Sequence, residues 1–315
     1  MPLLKVNAAG ERPVLEGLGD LDDKLAAQLA ALPAGAPVVV LLHGYKFSPA
    51  RPETSPHTHI LSLTPRQDCW KALSWPQSLG FGRGRADEGL CIAFGWEARG
   101  TIWQAWDRAA EAGAALADLV RRIRTLWSRP VHIVGHSLGV RVALTALADL
   151  PAGSIGRVVQ LAAAEFQSRA AAAMETPAGR TAEVINVTTR ENDLYDWLME
   201  WILRPGAPED RALGAGLPAA GRNWLDVQMD HPGTRAALAE VGFAIPAPAR
   251  RVCHWSAYLR PGVFAFYAAL IRERHALPLA CLRAALPGDA TPRWSRLLAP
   301  PRISLPLPVP PGVKP

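Results

Sequence analysis

The stretch "VHIVGHSLGVRVALTAL" (Val131 to Leu147) sets Ser137 between Gly135 and Gly139, after an apolar, β-branched run and before apolar residues spaced three and four apart. A serine on a sharp strand-to-helix turn projects its hydroxyl above the sheet, and the flanking glycines let neighbouring backbone come close. It also stands at a helix N-terminus, where the Leu138 N–H is free to donate to a developing oxyanion and the helix dipole favours negative charge. A serine hydroxyl becomes a good nucleophile only when a base accepts its proton and a third group fixes that base. By itself the Gly-x-Ser-x-Gly pattern is weak, so its weight rests on the elements around it.

Those elements alternate. "APVVVLLHGY" (Ala36 to Tyr45), "GLCIAFGW" (Gly89 to Trp96), "PVHIVGH" (Pro130 to His136), "GRVVQLAAA" (Gly156 to Ala164), "AEVINVTT" (Ala182 to Thr189) and "RRVCHW" (Arg250 to Trp255) each predict a short buried strand. Between Thr101 and Trp127, Ile102, Trp106, Ala109, Ala112, Leu116, Leu119, Val120, Ile123 and Leu126 form one helical face. Val140, Ala143, Leu144 and Leu147 form another, and Val263, Phe266, Tyr267 and Leu270 a third. Strands alternating with helices imply right-handed crossovers, hence an α/β fold with a mostly parallel sheet flanked by helices on both faces. Residues 46–88 and 204–249 fit this rhythm poorly and read as long insertions. The expected layout is one domain over 1–285, with a possible cap at 194–249, followed by a proline-rich tail over 286–315.

Composition narrows the class. With 49% hydrophobic and 20% charged residues the chain is that of a globular protein, and no run approaches the roughly 18 apolar residues of a membrane span. The N-terminus lacks the basic and apolar regions of a secretory signal, which makes a cytoplasmic location the default expectation. A net charge of +6 is spread over scattered arginines, so no nucleic-acid partner is expected. Cys69, Cys91, Cys253 and Cys281 lack Cys-x-x-Cys spacing and read as free thiols, and no metal or cofactor is called for.

"GHSLG" between "VHIV" and "VRVALTAL" resembles the nucleophile elbow of the α/β-hydrolase superfamily, and "VVVLLHGYKFSP" resembles its His-Gly at the end of an earlier strand. "FGWEARGTIWQAWDRA" before a long helix is similar to a bacterial branch of unknown function, with Trp-Glu-Ala where that branch carries a Trp-Pro-Ser-like turn. The resemblance spans about Pro37 to Arg274 and implies the order serine, acid, histidine. It makes Ser137 the nucleophile, Tyr45 and Leu138 the oxyanion donors, and Asp193 the acid, with Glu165 and then Asp196 as rivals. His254 is the implied base in preference to His231, whose place before Pro-Gly is that of a turn residue. His43, Gly44, His136, Trp197, Trp201 and Trp255 are candidate pocket residues; Trp197 and Trp201, one turn apart, border an acyl pocket, form a lid or pack in the core.

The activity so implied is hydrolysis of a carboxylic ester, or of a thioester, amide or lactone, through an acyl-enzyme; acyl transfer would use the same groups. The contrasting reading is a catalytically inactive binding protein on the same fold. His57 and His59 form a His-x-His without further ligands nearby and read as exposed loop residues, and Lys46 reads as a surface lysine.

Overall fold

The computed structural model describes residues 3–203 and 206–299. In chain order its elements are β1 (Leu3–Ala9), β2 (Arg12–Leu15), α1 (Leu21–Ala30), β3 (Val38–Leu42), α2 (Trp75–Ser78), β4 (Leu90–Gly95), α3 (Ile102–Leu126), β5 (Val131–His136), α4 (Leu138–Ala148), β6 (Ile155–Leu161), α5 (Gln167–Met174), β7 (Glu183–Thr188), α6 (Asp193–Leu203), β8 (Trp224–Gln228), α7 (Pro232–Glu240), α8 (Ser256–Leu259), α9 (Val263–Arg272) and α10 (Leu279–Ala285). Eight strands form one sheet in the order β2-β1-β4-β3-β5-β6-β7-β8. All neighbours pair parallel except β1 with β2, so the chain is an α/β protein.

The period of two along each strand decides what covers each face. Val38, Val40 and Leu42 of β3 pack with α1, α3 and α4, whereas Val39 and Leu41 pack with Trp75, Phe266 and Leu270 on the opposite side. Both faces are therefore sealed, which is why the central strands are continuous apolar runs. α3 is locked at its start by a capping box, with Thr101 and Gln104 each bonding the other's backbone.

Two expectations are overturned. Arg250–Trp255 is not a strand; it forms bends and turns leading into α8. The last strand is instead β8, inside the stretch read as an insertion, paired to β7 at the sheet edge. Among the described residues of 194–249, β8 and α7 thus belong to the sheet layers, and α6 is the element that lines the site. Residues 46–88 carry short helical turns and bury Ile60, Leu61, Trp75 and Phe81 against the sheet. The start of the proline-rich segment is docked as well: Thr291 N–H donates to Gln228 and Trp294 N–H to Asp193. Residues 300–315 lie outside the described residues.

The first turn of α4 lies on the carboxyl end of β3. A Cβ on Gly139 would stand 2.6 Å from the His43 carbonyl oxygen, which accepts from the Trp96 indole N–H, and 2.7 Å from that of Leu42 at the end of β3. Gly139→Ala is therefore expected to destabilise the fold by about 1–3 kcal/mol, as overpacking does. Chemical denaturation measures this, and an unchanged midpoint would contradict it.

Candidate functional site

Ser137 sits where β5 ends and α4 begins, with φ 55° and ψ −125°, a backbone state that costs a non-glycine residue about 1–3 kcal/mol. Three hydrogen bonds hold it there: its N–H donates to Leu161, and its carbonyl accepts from Val140 and Ala164. The neighbouring strand end and the helix thus grip the serine from both sides.

Opposite it runs the turn after β3. Gly44 is required at this place, because a Cβ there would lie 2.8 Å from the Ser137 Cβ and 3.3 Å from its Oγ. The Tyr45 and Leu138 N–H groups have no hydrogen-bond partner among the described residues. Both residues line the same cavity as Ser137, which leaves these N–H groups available to an oxyanion formed there. His43 lies behind the turn and fixes it. Its Nε2 accepts from the Trp96 N–H at 3.0 Å, so Nδ1 carries the proton and donates to the Gly44 carbonyl at 2.9 Å. Full burial against Trp96 drives its pKa down to about 3, which keeps it neutral. His43 is structural, not a member of the cavity lining.

His254 reaches the site on the loop before α8. Two backbone contacts set that loop: Cys253 N–H donates to the Glu191 carbonyl at 2.9 Å, and His136 Nε2 donates to the His254 carbonyl at 3.1 Å. Arg260 pairs with the buried Glu191 from the same side. Tyr195 stacks on the imidazole with ring centroids 4.7 Å apart. Burial, with His136 and Lys71 nearby, holds the His254 pKa well below that of an ordinary histidine. His136, enclosed by Trp75 and Tyr258, is lowered by burial to about 4.

The partner of His254 is not the expected acid. Its Nδ1 lies 2.6 Å from Oδ1 of Asn192, the residue before Asp193. Asn192 in turn donates through Nδ2 to Oδ1 of Asp196 at 2.8 Å, one helical turn on. With the amide in this sense Oδ1 faces His254, and a hydrogen bond there requires the ring proton on Nδ1, which leaves Nε2 its lone pair. Asp193 is engaged elsewhere, accepting from the Trp294 N–H at 2.7 Å and facing Arg190 at 3.2 Å. Its displacement has a simple cause: residues 190–192 form one tight helical turn, and each step along it swings the side chain to another side.

The rival residues are likewise accounted for. Glu165 is buried against Arg141 at 2.7 Å, away from His254. His231 caps α7, accepting from the N–H groups of Gly233 and Thr234. His57 is buried, not exposed, and bonds Asn7; His59 meets the Cys69 sulfur at 3.3 Å. The four cysteines are unpaired. Among the described residues no group of three metal-ligating side chains converges, and no helix is long and apolar enough to cross a membrane.

Ser137 and His254 open into a cavity of about 470 Å³. Gly44, Tyr45, His136, Leu138, Asn192 and Trp255 line it, together with Ile102 and Leu198, Met199, Ile202 and Leu203 of α6. Lys46 stands at its mouth. Trp197 and Trp201 do not line it. They stack on each other on the outer side of α6, 43% and 63% exposed, because the inner side is taken by the four aliphatic residues. The signal that could have revealed the true histidine partner is the Asn192…Asp196 spacing, which places an amide and a carboxylate on one helical face.

No curated protein matches the chain. A family model described as "Protein of unknown function (DUF726)" matches residues 57–217, a segment that carries Ser137, Asn192 and Asp196 but neither the turn at Gly44 nor His254. That segment is more than half of the chain, and the protein belongs to this family.

Proposed function

We propose that the protein is a serine hydrolase of the α/β-hydrolase type, acting on the carboxylic ester of a small molecule. The observation that carries this reading is the convergence of a strained serine, a neutral histidine with a free Nε2 and two unpartnered N–H groups on one apolar cavity. In this mechanism Ser137 Oγ attacks the carbonyl carbon as His254 Nε2 takes its proton. The Tyr45 and Leu138 N–H groups bind the oxyanion. His254 then gives the proton to the leaving alcohol, and water resolves the acyl-enzyme by the same steps in reverse.

Asn192 takes the place of the acid. Its oxygen keeps the imidazole in the reactive tautomer, as the third member of a triad must, though without a negative charge beside the imidazolium. This neutrality is the specific observation favouring a second reading, a binding protein with an inert elbow.

Activity separates the two. A fluorophosphonate probe is expected to label Ser137 in the wild type and to leave Ser137→Ala and His254→Ala unlabelled. Each substitution should lower ester turnover by about a thousand-fold or more, and the double variant should be little worse than either. A folded wild type that resists labelling and cleaves no ester would favour the binding protein.

The aliphatic lining predicts the acyl preference. Each methylene added to a straight-chain acyl group should raise kcat/KM about fourfold until the cavity is filled, the equivalent of about 0.8 kcal/mol per buried CH₂. A p-nitrophenyl ester series measures this, and a preference for acetate would contradict it.

Because the base is needed unprotonated and its pKa lies below the ordinary histidine value, lowering the pH should not remove it until well below that value. The acid limb of kcat/KM is therefore expected below pH 6.5, whereas a limb at or above it would contradict the depressed His254.

A further inference from the structure

Asn192 is an ambiguous partner for a histidine. The two ends of a primary amide are almost the same size, but one accepts hydrogen bonds and the other donates them. With Oδ1 toward the ring, His254 carries its proton on Nδ1 and offers Nε2 as a base. With Nδ2 toward the ring, Nδ1 must accept, the proton moves to Nε2, and the imidazole cannot take a proton from Ser137. Something outside the pair has to choose.

We propose that Asp196 is a positioning residue that makes this choice: by accepting from Nδ2 of Asn192, it turns Oδ1 to His254 and fixes the ring tautomer. The geometry supplies the parts. Asp196 Oδ1 lies 2.8 Å from Asn192 Nδ2, and Asn192 Oδ1 lies 2.6 Å from His254 Nδ1. The carboxyl group is buried in a slot that exists because residue 214 is glycine; a Cβ there would overlap the Asp196 carboxylate. Arg190, Arg293, Asp193 and Glu200 are the charged groups around it. Burial raises the Asp196 pKa to about 7, yet a carboxyl group keeps an acceptor oxygen whether ionised or protonated. The ionised form, which has no donating end, admits only this sense of the bond.

The inference rests on the serine-hydrolase reading only for its effect on turnover, since the tautomer is observable without any reaction. Two-bond proton–nitrogen spectra of the histidine rings at pH 7.5 distinguish Nδ1–H from Nε2–H. The wild type is expected to show His254 as Nδ1–H. In Asp196→Leu, which removes the acceptor, the Nε2–H form should appear, and kcat/KM for an ester should fall about a hundred-fold with KM nearly unchanged, the pattern of a lost transition-state interaction.

Rescue is the decisive arm. In Asn192→Asp/Asp196→Asn the carboxylate lies directly on the ring and has no donating end, so Nδ1–H and most of the turnover should return. If Asp196→Leu does not fold, Asp196→Asn takes its place. Two facing amides can bond in either sense, so both tautomers are expected. A folded Asp196→Leu, or Asp196→Asn in its stead, that shows Nδ1–H alone would overturn the proposal. So would a double variant without rescue of the tautomer. A wild type that cleaves no ester while its tautomer responds as described would sink the hydrolase reading and leave this one standing.

Discussion

The close approach of the first turn of α4 to the end of β3 is the constraint on which the site depends. It is possible only because residues 44, 135 and 139 carry no Cβ: at Gly139 one would meet two backbone oxygens, at Gly44 the serine itself, and at Gly135 the backbone of Gly139. Where the two segments touch, Ser137 takes a positive φ of 55°. The strain of about 1–3 kcal/mol is offset by the sheet and helix hydrogen bonds that grip the same peptide units.

The histidine is positioned by a different kind of interaction. His254 is more than a hundred residues from Ser137 and lies on an irregular loop, so no regular element delivers it. Instead the turn at 190–192 works as a polar anchor, tied to the loop through the Glu191 carbonyl, the Glu191–Arg260 pair and the Asn192 side chain. Burying such groups is costly unless nearly all are paired. Placing a neutral amide against the ring, with the carboxyl group one step back, avoids leaving an unpaired negative charge beside a neutral, desolvated imidazole. The cost is a partner with two ends, which the neighbouring carboxyl group resolves.

Legibility followed burial. The five strands β3 to β7 are covered on both faces and read directly as apolar runs. β8 lies at an edge and carries Asp226 amid its apolar residues, where it bonds Asn186 and the Trp224 indole, so its pattern is broken. β1 and β2, at the other end of the sheet, are short and partly exposed and carry no continuous apolar run either. Arg250–Trp255 looked like a strand from its valine and aromatic content, but its Cys253 N–H is spent on Glu191 instead of a ladder. At the site, Ser137, the turn at Gly44 and His254 were readable as motifs. The histidine's partner was not, because the choice between residues 192 and 193 depends on the rotation of one tight turn, and an asparagine does not count as an acid.

In the proposed mechanism Ser137, His254 and the N–H groups of Tyr45 and Leu138 act as one acyl-transfer centre. A crystal structure of the protein after reaction with an alkyl phosphonate tests it most directly. Phosphorus is expected to be bonded to Ser137 Oγ, with a phosphonyl oxygen about 3 Å from both backbone nitrogens and the alkyl chain beneath α6. An adduct on another residue, or an oxygen directed away from those two nitrogens, would contradict it.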